Sequence, residues 1–303
     1  MLNPKILFLS SSNFGAQVLQ NLDGVNAEII LVTASDKSKG RGLNLEANAA
    51  KKMAIQLSHF ERSEKAYKKI QIIEVANRQD VVEVLNKIDY GLALIAGFSF
   101  IIPAEVLNAP KNNLRHLVLH PSLLPDLRGA SPIQTALLKG YQQTGICLFK
   151  IEAAVDSGEI IVCKKLAIDS GDNYQTLEKK MALAGAKIFQ ENYLAYLKGE
   201  VESKPQKGKV SFTKQIEKTD GLFDFKKDSV REIYNKFRAY YVWPGIYFEW
   251  NNKKIKITDL MSENDKLLIK KVLPEGKKEM DFKSFINGYH FPLDFGDKIT
   301  YPD

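Results

Sequence analysis

The first 120 residues alternate between two periodicities, and that alternation restricts the fold more than any other feature of the chain. Short apolar runs of strand length stand at "KILFLS" (5–10), "EIILVTAS" (28–35), "IQIIEV" (70–75), "YGLALIAG" (90–97) and "RHLVLH" (115–120). Between them lie helical patterns such as "FGAQVLQNL", "EANAAKKMAIQL" and "RQDVVEVLNKI". Strand–helix–strand alternation requires crossover connections, and these build a parallel sheet covered by helices on both faces. The expectation is an α/β, doubly wound, mostly parallel sheet. Ligands in such sheets bind at the carboxyl ends of the strands, and His120 stands at one.

Beyond that strand, Pro121 opens a loop of about ten residues, and helix resumes at "SPIQTALLKG", with Ser131 placed to cap it and Pro132 at its first position. Two strand-like runs, "TGICLFKI" and "EIIVCKKLAI", follow on either side of "EAAVDSG", and a helical pattern covers 173–197. A chain of 303 residues exceeds the usual size of one hydrophobic core. The polar stretch "EVESKPQKGK" (200–209) reads as the linker between a domain at 1–199 and a smaller one at 210–303. In the smaller part, "GIYFEW", "KKIKITDLM", "KLLIKKVLP" and "KEMDFKSFI" are alternating runs that suggest an OB-like β-barrel, with one helix near 229–238.

Several chemistries are disfavoured. The first strand runs into "SSSNFG", without G-x-G-x-x-G, and no G-x-x-x-x-G-K-[ST] occurs, so a dinucleotide or ATP held in the usual way is not expected. On one strand His116 and His120 would lie about 13 Å apart, too far to share a metal, and no metal is expected. Cys147 and Cys163 show neither ligand spacing nor a disulfide framework and read as buried thiols. No apolar window approaches the length of a membrane span, so a soluble, cytoplasmic chain is expected. The net charge of +7, more concentrated over 205–303 than over 1–204, suggests a polyanionic partner.

His120 and Asp156 are the residues most able to do chemistry. A histidine held by a carboxylate forms an acid/base pair, the carboxylate fixing the tautomer and stabilising the imidazolium. The other reading of Asp-x-Gly is a plain turn, and the residues alone leave both open. Strand alternation puts His116, Val118 and His120 on one face, which gives the candidate imidazole a neighbour incapable of chemistry.

The run "HPSLLPDLRGASPIQTALLKGYQQTGICLFKIEAAVDSGEII" resembles the N10-formyltetrahydrofolate-dependent formyltransferases, with their H-x-SLLP-x-x-RGA-x-PI signature followed by D-x-G. The likeness covers essentially the whole chain. "SDKSKGRG" (35–42), "AGFSFIIPAEVL" (96–107), "RAYYVWPGIYFEW" (238–250) and "PEGKKEMDFKSFINGY" (274–289) are similar to segments of the branch that formylates methionyl-tRNA. The last two lie in the C-terminal barrel, which glycinamide ribonucleotide transformylase lacks.

The resemblance implies formyl transfer from 10-formyltetrahydrofolate to the α-amine of initiator methionyl-tRNA through a tetrahedral intermediate. His120 would donate to the oxyanion, and Asp156 would position it and take part in proton transfer. Ser122, Leu123, Leu124, Pro125, Arg128 and Gly129 would shape the folate pocket. Backbone at Gly97, Phe98, Val155, Ser157 and Gly158 would read the pterin edges. Lys39 and Arg41 of the glycine-rich loop would reach the acceptor stem, and Arg238, Lys253 and Lys254 would contact tRNA backbone. Trp243-Pro244-Gly245 reads as core and turn. A monomer with no metal is expected. The alternatives are a sugar or nucleotide N-formyltransferase and a non-catalytic folate- or tRNA-binding homologue.

The departure from the family pattern is Val118. The family has an asparagine two residues before the histidine, supplying an oxyanion donor, and this chain has "VLH" there. Asn112 and Asn113 are too far along an extended strand to replace it. Loss of such a donor costs about 10² to 10³ in rate, so the expectation is a slow enzyme, an enzyme using another donor, or a homologue that binds without catalysing. A lesser departure is "SSSNFG", where the family usually has a glycine after the first strand.

Overall fold

The computed structural model describes residues 4–39, 44–59, 70–102, 106, 116–292 and 298–301. Arg41, Asn112 and Asn113 lie outside the described residues.

The strands are β1 (Lys5–Leu9), β2 (Glu28–Ala34), β3 (Lys37–Lys39), β4 (Asn44–Glu46), β5 (Gln71–Val75), β6 (Leu92–Ile95), β7 (His116–His120), β8 (Arg128–Gly129), β9 (Gln143–Lys150), β10 (Ile160–Ala167), β11 (Phe212–Thr213), β12 (Ile246–Trp250), β13 (Lys253–Glu263), β14 (Lys266–Pro274), β15 (Met280–Asp281) and β16 (Ile299–Thr300). The helices are α1 (Asn13–Gln20), α2 (Ala49–His59), α3 (Arg78–Lys87), α4 (Pro132–Leu138), α5 (Tyr174–Leu197), α6 (Val230–Ala239) and α7 (Phe282–Tyr289). The chain packs as two compact units. The first takes in 1–129, 143–167 and 178–212, and the second 130–142, 168–177 and 213–303.

The first unit carries a seven-stranded sheet of order β10-β9-β7-β6-β1-β2-β5. From β5 to β7 neighbouring strands run parallel. The alternation of the sequence thus produces the parallel sheet it implies, and the sheet is completed by an antiparallel hairpin, β9 on β7 and β10 on β9. Every residue of β6 and Ile6 to Leu9 of β1 is buried, which explains why these strands read as continuous apolar runs without a polar face. The first helix begins where β1 stops. Ser12 caps α1 by accepting from Gly15 N at 3.1 Å. A Cβ on Gly15 would stand 1.8 Å from Ser10 Oγ, so "SSSNFG" needs its glycine for close approach of helix to strand.

Cys147 and Cys163 are joined by a disulfide, which corrects the expectation of two buried thiols. They are register partners across β9 and β10, a pairing set by the hairpin that sequence spacing does not reveal.

The second unit has a mostly antiparallel sheet of order β12-β13-β14-β15, with β16 parallel to β14. Phe223, Phe225, Phe248, Phe282, Phe285 and Phe291 meet largely edge to face in its core. Two expectations are corrected here. "KEMDFKSFI" is extended only at Met280–Asp281. Asp281 then caps α7 by accepting from Ser284 N at 2.7 Å, and Phe282 and Phe285 fall on one buried helix face. Trp243 is not core but 48% exposed. Gly245, at φ +79°, makes the turn between α6 and β12, and the tryptophan precedes it on the outside.

His116 is a core residue of the first unit. Its Nε2 lies 2.8 Å from Tyr90 Oη, and burial pushes its pKa down to about 4. The unfolded chain binds a proton near pH 6.5 that the native state refuses, so stability falls as pH drops from 6.5 toward 4. That loss should reach about 3 kcal/mol, and it should be missing from the pH dependence of His116→Gln in urea titrations across the same window.

Candidate active site

β7 ends at His120, beside β9 with Cys147 as its register partner. The imidazole is buried. Its Nε2 lies 2.9 Å from Leu127 O, and a carbonyl can only accept, so this nitrogen carries a proton. Its Nδ1 faces Asp156 Oδ2 at 3.5 Å, an ion-pair distance longer than an ordinary hydrogen bond. The same Oδ2 accepts from Gly129 N at 2.7 Å. Asp156 sits at φ +47° in the loop between β9 and β10. Its carboxylate thus joins that loop to the one following His120.

The loop from Pro121 to Gly129 is braced from within. Ser122 N donates to His120 O at 2.9 Å, Asp126 N to Leu123 O at 3.1 Å and Ser122 Oγ to Asp126 O at 2.6 Å. Leu127, at φ +57°, turns its carbonyl onto the histidine. Of the residues expected to shape a folate pocket, Ser122 is wholly buried and spends its hydroxyl on the loop. Leu124 and Pro125 are buried, and Leu123, Arg128 and Gly129 half-buried. Leu123 lies over β9, where a Cβ on Gly145 would stand 2.4 Å from Leu123 Cδ2. Gly97, past the end of β6, has φ +61° and no room for a side chain beside Ser12, and half-buried Phe98 packs on the core. Val155 is exposed, Ser157 Oγ donates to Ala154 O at 3.0 Å, and Gly158 is buried against Lys150.

Val118 pairs in register with Ile95 on one side and Phe149 on the other, and packs against Leu124, Cys147 and Phe149. These neighbours are apolar, and Val118 itself is half-buried. Among the described residues no cluster of three metal-ligating side chains occurs, and no helix is long and apolar enough to cross a membrane.

The expected nucleic-acid contacts belong to both units. Lys253 and Lys254 are exposed on β13, with Lys254 Nζ 4.9 Å from the centre of the Tyr247 ring. Arg238 is a correction. It is 8% exposed, donates to Ser170 O at 2.9 Å and lies over the Tyr234 ring, and burial lowers its pKa. A guanidinium so enclosed ties the interior of the second unit together and is not presented to phosphate. The backbone of Lys39 lies in β3, and Arg41 is outside the described residues.

Two residues near the site escaped the sequence reading. Gln206 Oε1 accepts from Arg128 Nε at 3.2 Å and from Nη2 at 2.6 Å, while its Nε2 donates to Asp156 O at 2.8 Å and Gly158 O at 2.9 Å. Ser211 Oγ accepts from Leu127 N at 2.9 Å and bonds to Asp126, and Ser211 O accepts from Arg128 N at 2.9 Å. Both lie in or just after a polar stretch whose composition looks like a spacer, and their partners are nearly fifty or more positions away.

Sequence comparison defines the class. The formyl transferase family matches residues 4–192, and the formyl transferase C-terminal domain matches residues 215–266. The chain belongs to the formyl transferase family. It is 31% identical over 257 residues to methionyl-tRNA formyltransferase of Sulfurihydrogenibium sp. (strain YO3AOP1), covering 84% of this chain and 79% of that one. To methionyl-tRNA formyltransferase of Thermodesulfovibrio yellowstonii it is 32% identical over 307 residues, 93% and 95% of the two chains. Among solved structures, the sugar 3N-formyl transferase WlaRD, determined in the presence of dTDP and 5-N-formyl-THF, shares the fold with a TM-score of 0.58 and 20% identity over 87% of this chain and 88% of that one.

The glycine of "VDSG" gives a test of how tightly this loop is held. A Cβ on Gly158 would stand 1.7 Å from Lys150 O, a backbone atom that cannot swing away, whereas one on Gly171 would meet nothing within 4 Å. Gly158→Ala should cost about 1–3 kcal/mol or more in urea unfolding. Gly171→Ala should stay within about 0.5 kcal/mol of the unaltered chain.

Proposed function

We propose that the chain transfers a formyl group from 10-formyltetrahydrofolate to the α-amine of initiator methionyl-tRNA, acting in the cytoplasm where translation begins. The observation that carries this reading is that the catalytic and C-terminal formyl transferase sequences occur on one chain, aligned over most of the length of relatives named for that reaction. The part at 1–199 would hold the folate and the reacting groups. The part at 210–303 would add tRNA contacts, with Lys253 and Lys254 joining Lys39 and Arg41, and without Arg238.

In the proposed reaction the amine nitrogen bonds to the formyl carbon, the carbonyl oxygen becomes an oxyanion, and the bond from carbon to the folate N10 breaks. One proton leaves the amine and one reaches N10. The His120–Asp156 pair suits this proton traffic, since the carboxylate 3.5 Å from Nδ1 orients the ring while Nε2–H is the group able to donate to the oxyanion. Nε2–H is held on Leu127 O, so donating to substrate means exchanging one oxygen acceptor for another. The folate would lie along the 121–129 loop and the backbone of Gly97, Phe98, Val155, Ser157 and Gly158.

Formylation of methionyl-tRNA, with 10-formyltetrahydrofolate as donor, tests the reading. Turnover is expected from the unaltered chain, with losses of about 10²-fold or more in His120→Ala and Asp156→Asn and little change in folate affinity. Turnover that both variants retain in full would remove the pair from the mechanism.

Val118 carries a second expectation. An asparagine there would add a donor used only in the transition state, so Val118→Asn should raise kcat by about 10² without tightening substrate binding. Placed among Leu124, Cys147 and Phe149, the amide should also cost about 1–3 kcal/mol of stability. Kinetics and urea unfolding on the same preparation measure both. An unchanged or slower enzyme would mean that the oxyanion is stabilised elsewhere.

A further inference from the structure

Gln206 occupies a place that its exposed, polar neighbourhood does not announce. The segment around it is fixed at both ends. Lys204 and Ile160 exchange a pair of backbone hydrogen bonds, each 2.8 Å, and Ser211 holds the backbone of Pro125, Leu127 and Arg128. Between these anchors the Gln206 amide is fully used. Its oxygen accepts from Arg128 and its two N–H groups donate to the Asp156 and Gly158 carbonyls. Only one orientation of the amide satisfies these partners, because a guanidinium can only donate and a carbonyl can only accept.

We propose that Gln206 is a positioning residue for formyl transfer, clamping the loop of Asp156 to Arg128 and so setting the Asp156 carboxylate against His120. The proposal rests on the reading of His120 and Asp156 as the reacting pair. The carboxylate has one strong tie of its own, to Gly129 N, and its distance to His120 is determined by where the backbone at 156–158 is held. Two of the bonds holding that backbone come from Gln206. A carboxylate displaced by a fraction of an ångström still folds and still binds substrate, but orients the imidazole less well.

The test uses the full chain with methionyl-tRNA and 10-formyltetrahydrofolate. Gln206→Met keeps the length of the side chain and removes all four hydrogen bonds. Gln206→Glu keeps an acceptor for Arg128 but turns an acceptor toward two carbonyl oxygens. Both should lower kcat about tenfold or more, leave KM for methionyl-tRNA within about twofold, and unfold in urea close to the unaltered chain. In ¹³C-histidine spectra the His120 ring signal should move in both variants in the direction set by Asp156→Asn. An unchanged kcat or an unmoved His120 signal in Gln206→Met overturns the proposal. So does a Gln206→Glu variant of full rate, which would leave Arg128 as the amide's one relevant partner. If Asp156→Asn itself keeps full rate, the underlying assignment of the reacting pair fails, and that result is distinguishable because it does not depend on position 206.

Discussion

One carboxylate oxygen holds the candidate site together. Asp156 Oδ2 accepts from Gly129 N and faces His120 Nδ1, so the loop after β7 and the loop between β9 and β10 meet at a single atom. The sheet contributes only the histidine. The rest is loop and the two-residue strand β8, and such segments keep a fixed shape only if their backbone groups are satisfied. Ser122, Leu127 O, Gly158 and Gln206 each meet part of that requirement, and none needs to touch a substrate to matter.

The apolar setting of Val118 shows how packing and chemistry compete for one position. Ile95 and Phe149 are its register partners, and Leu124 and Cys147 belong to the apolar cluster against which it packs. A polar side chain there has to find a partner or lose solvation. Leu124 belongs to the same loop that carries Leu127 to the histidine.

Much of the fold was legible because it depends on local pattern. β1, β2, β5, β6 and β7, with α5 and α6, lie where periodicity places them, since buried parallel strands are continuous apolar runs and helices carry caps such as Ser229 with Glu232. His120 and Asp156 were legible as residue types at strand and turn positions. What escaped is pairing at a distance. The Cys147–Cys163 register, the interior place of Arg238, and Gln206 and Ser211 reaching back to the 125–129 loop depend on which segments meet. Composition in a window of ten residues does not encode that. Asp281 shows the local version of the failure, a helix cap hidden inside an alternating run.

The anchoring of 204–211 has a consequence for how such chains can diverge. A true spacer tolerates added or missing residues, because nothing downstream depends on its contour length. Here the path between the Lys204–Ile160 bridge and the grip of Ser211 is a measured span with Gln206 part-way along it. A single inserted residue would shift the amide away from Arg128 or pull Ser211 off Leu127. Variation in length is therefore disfavoured within the span, and a stretch whose amino acids look interchangeable is held to a fixed count.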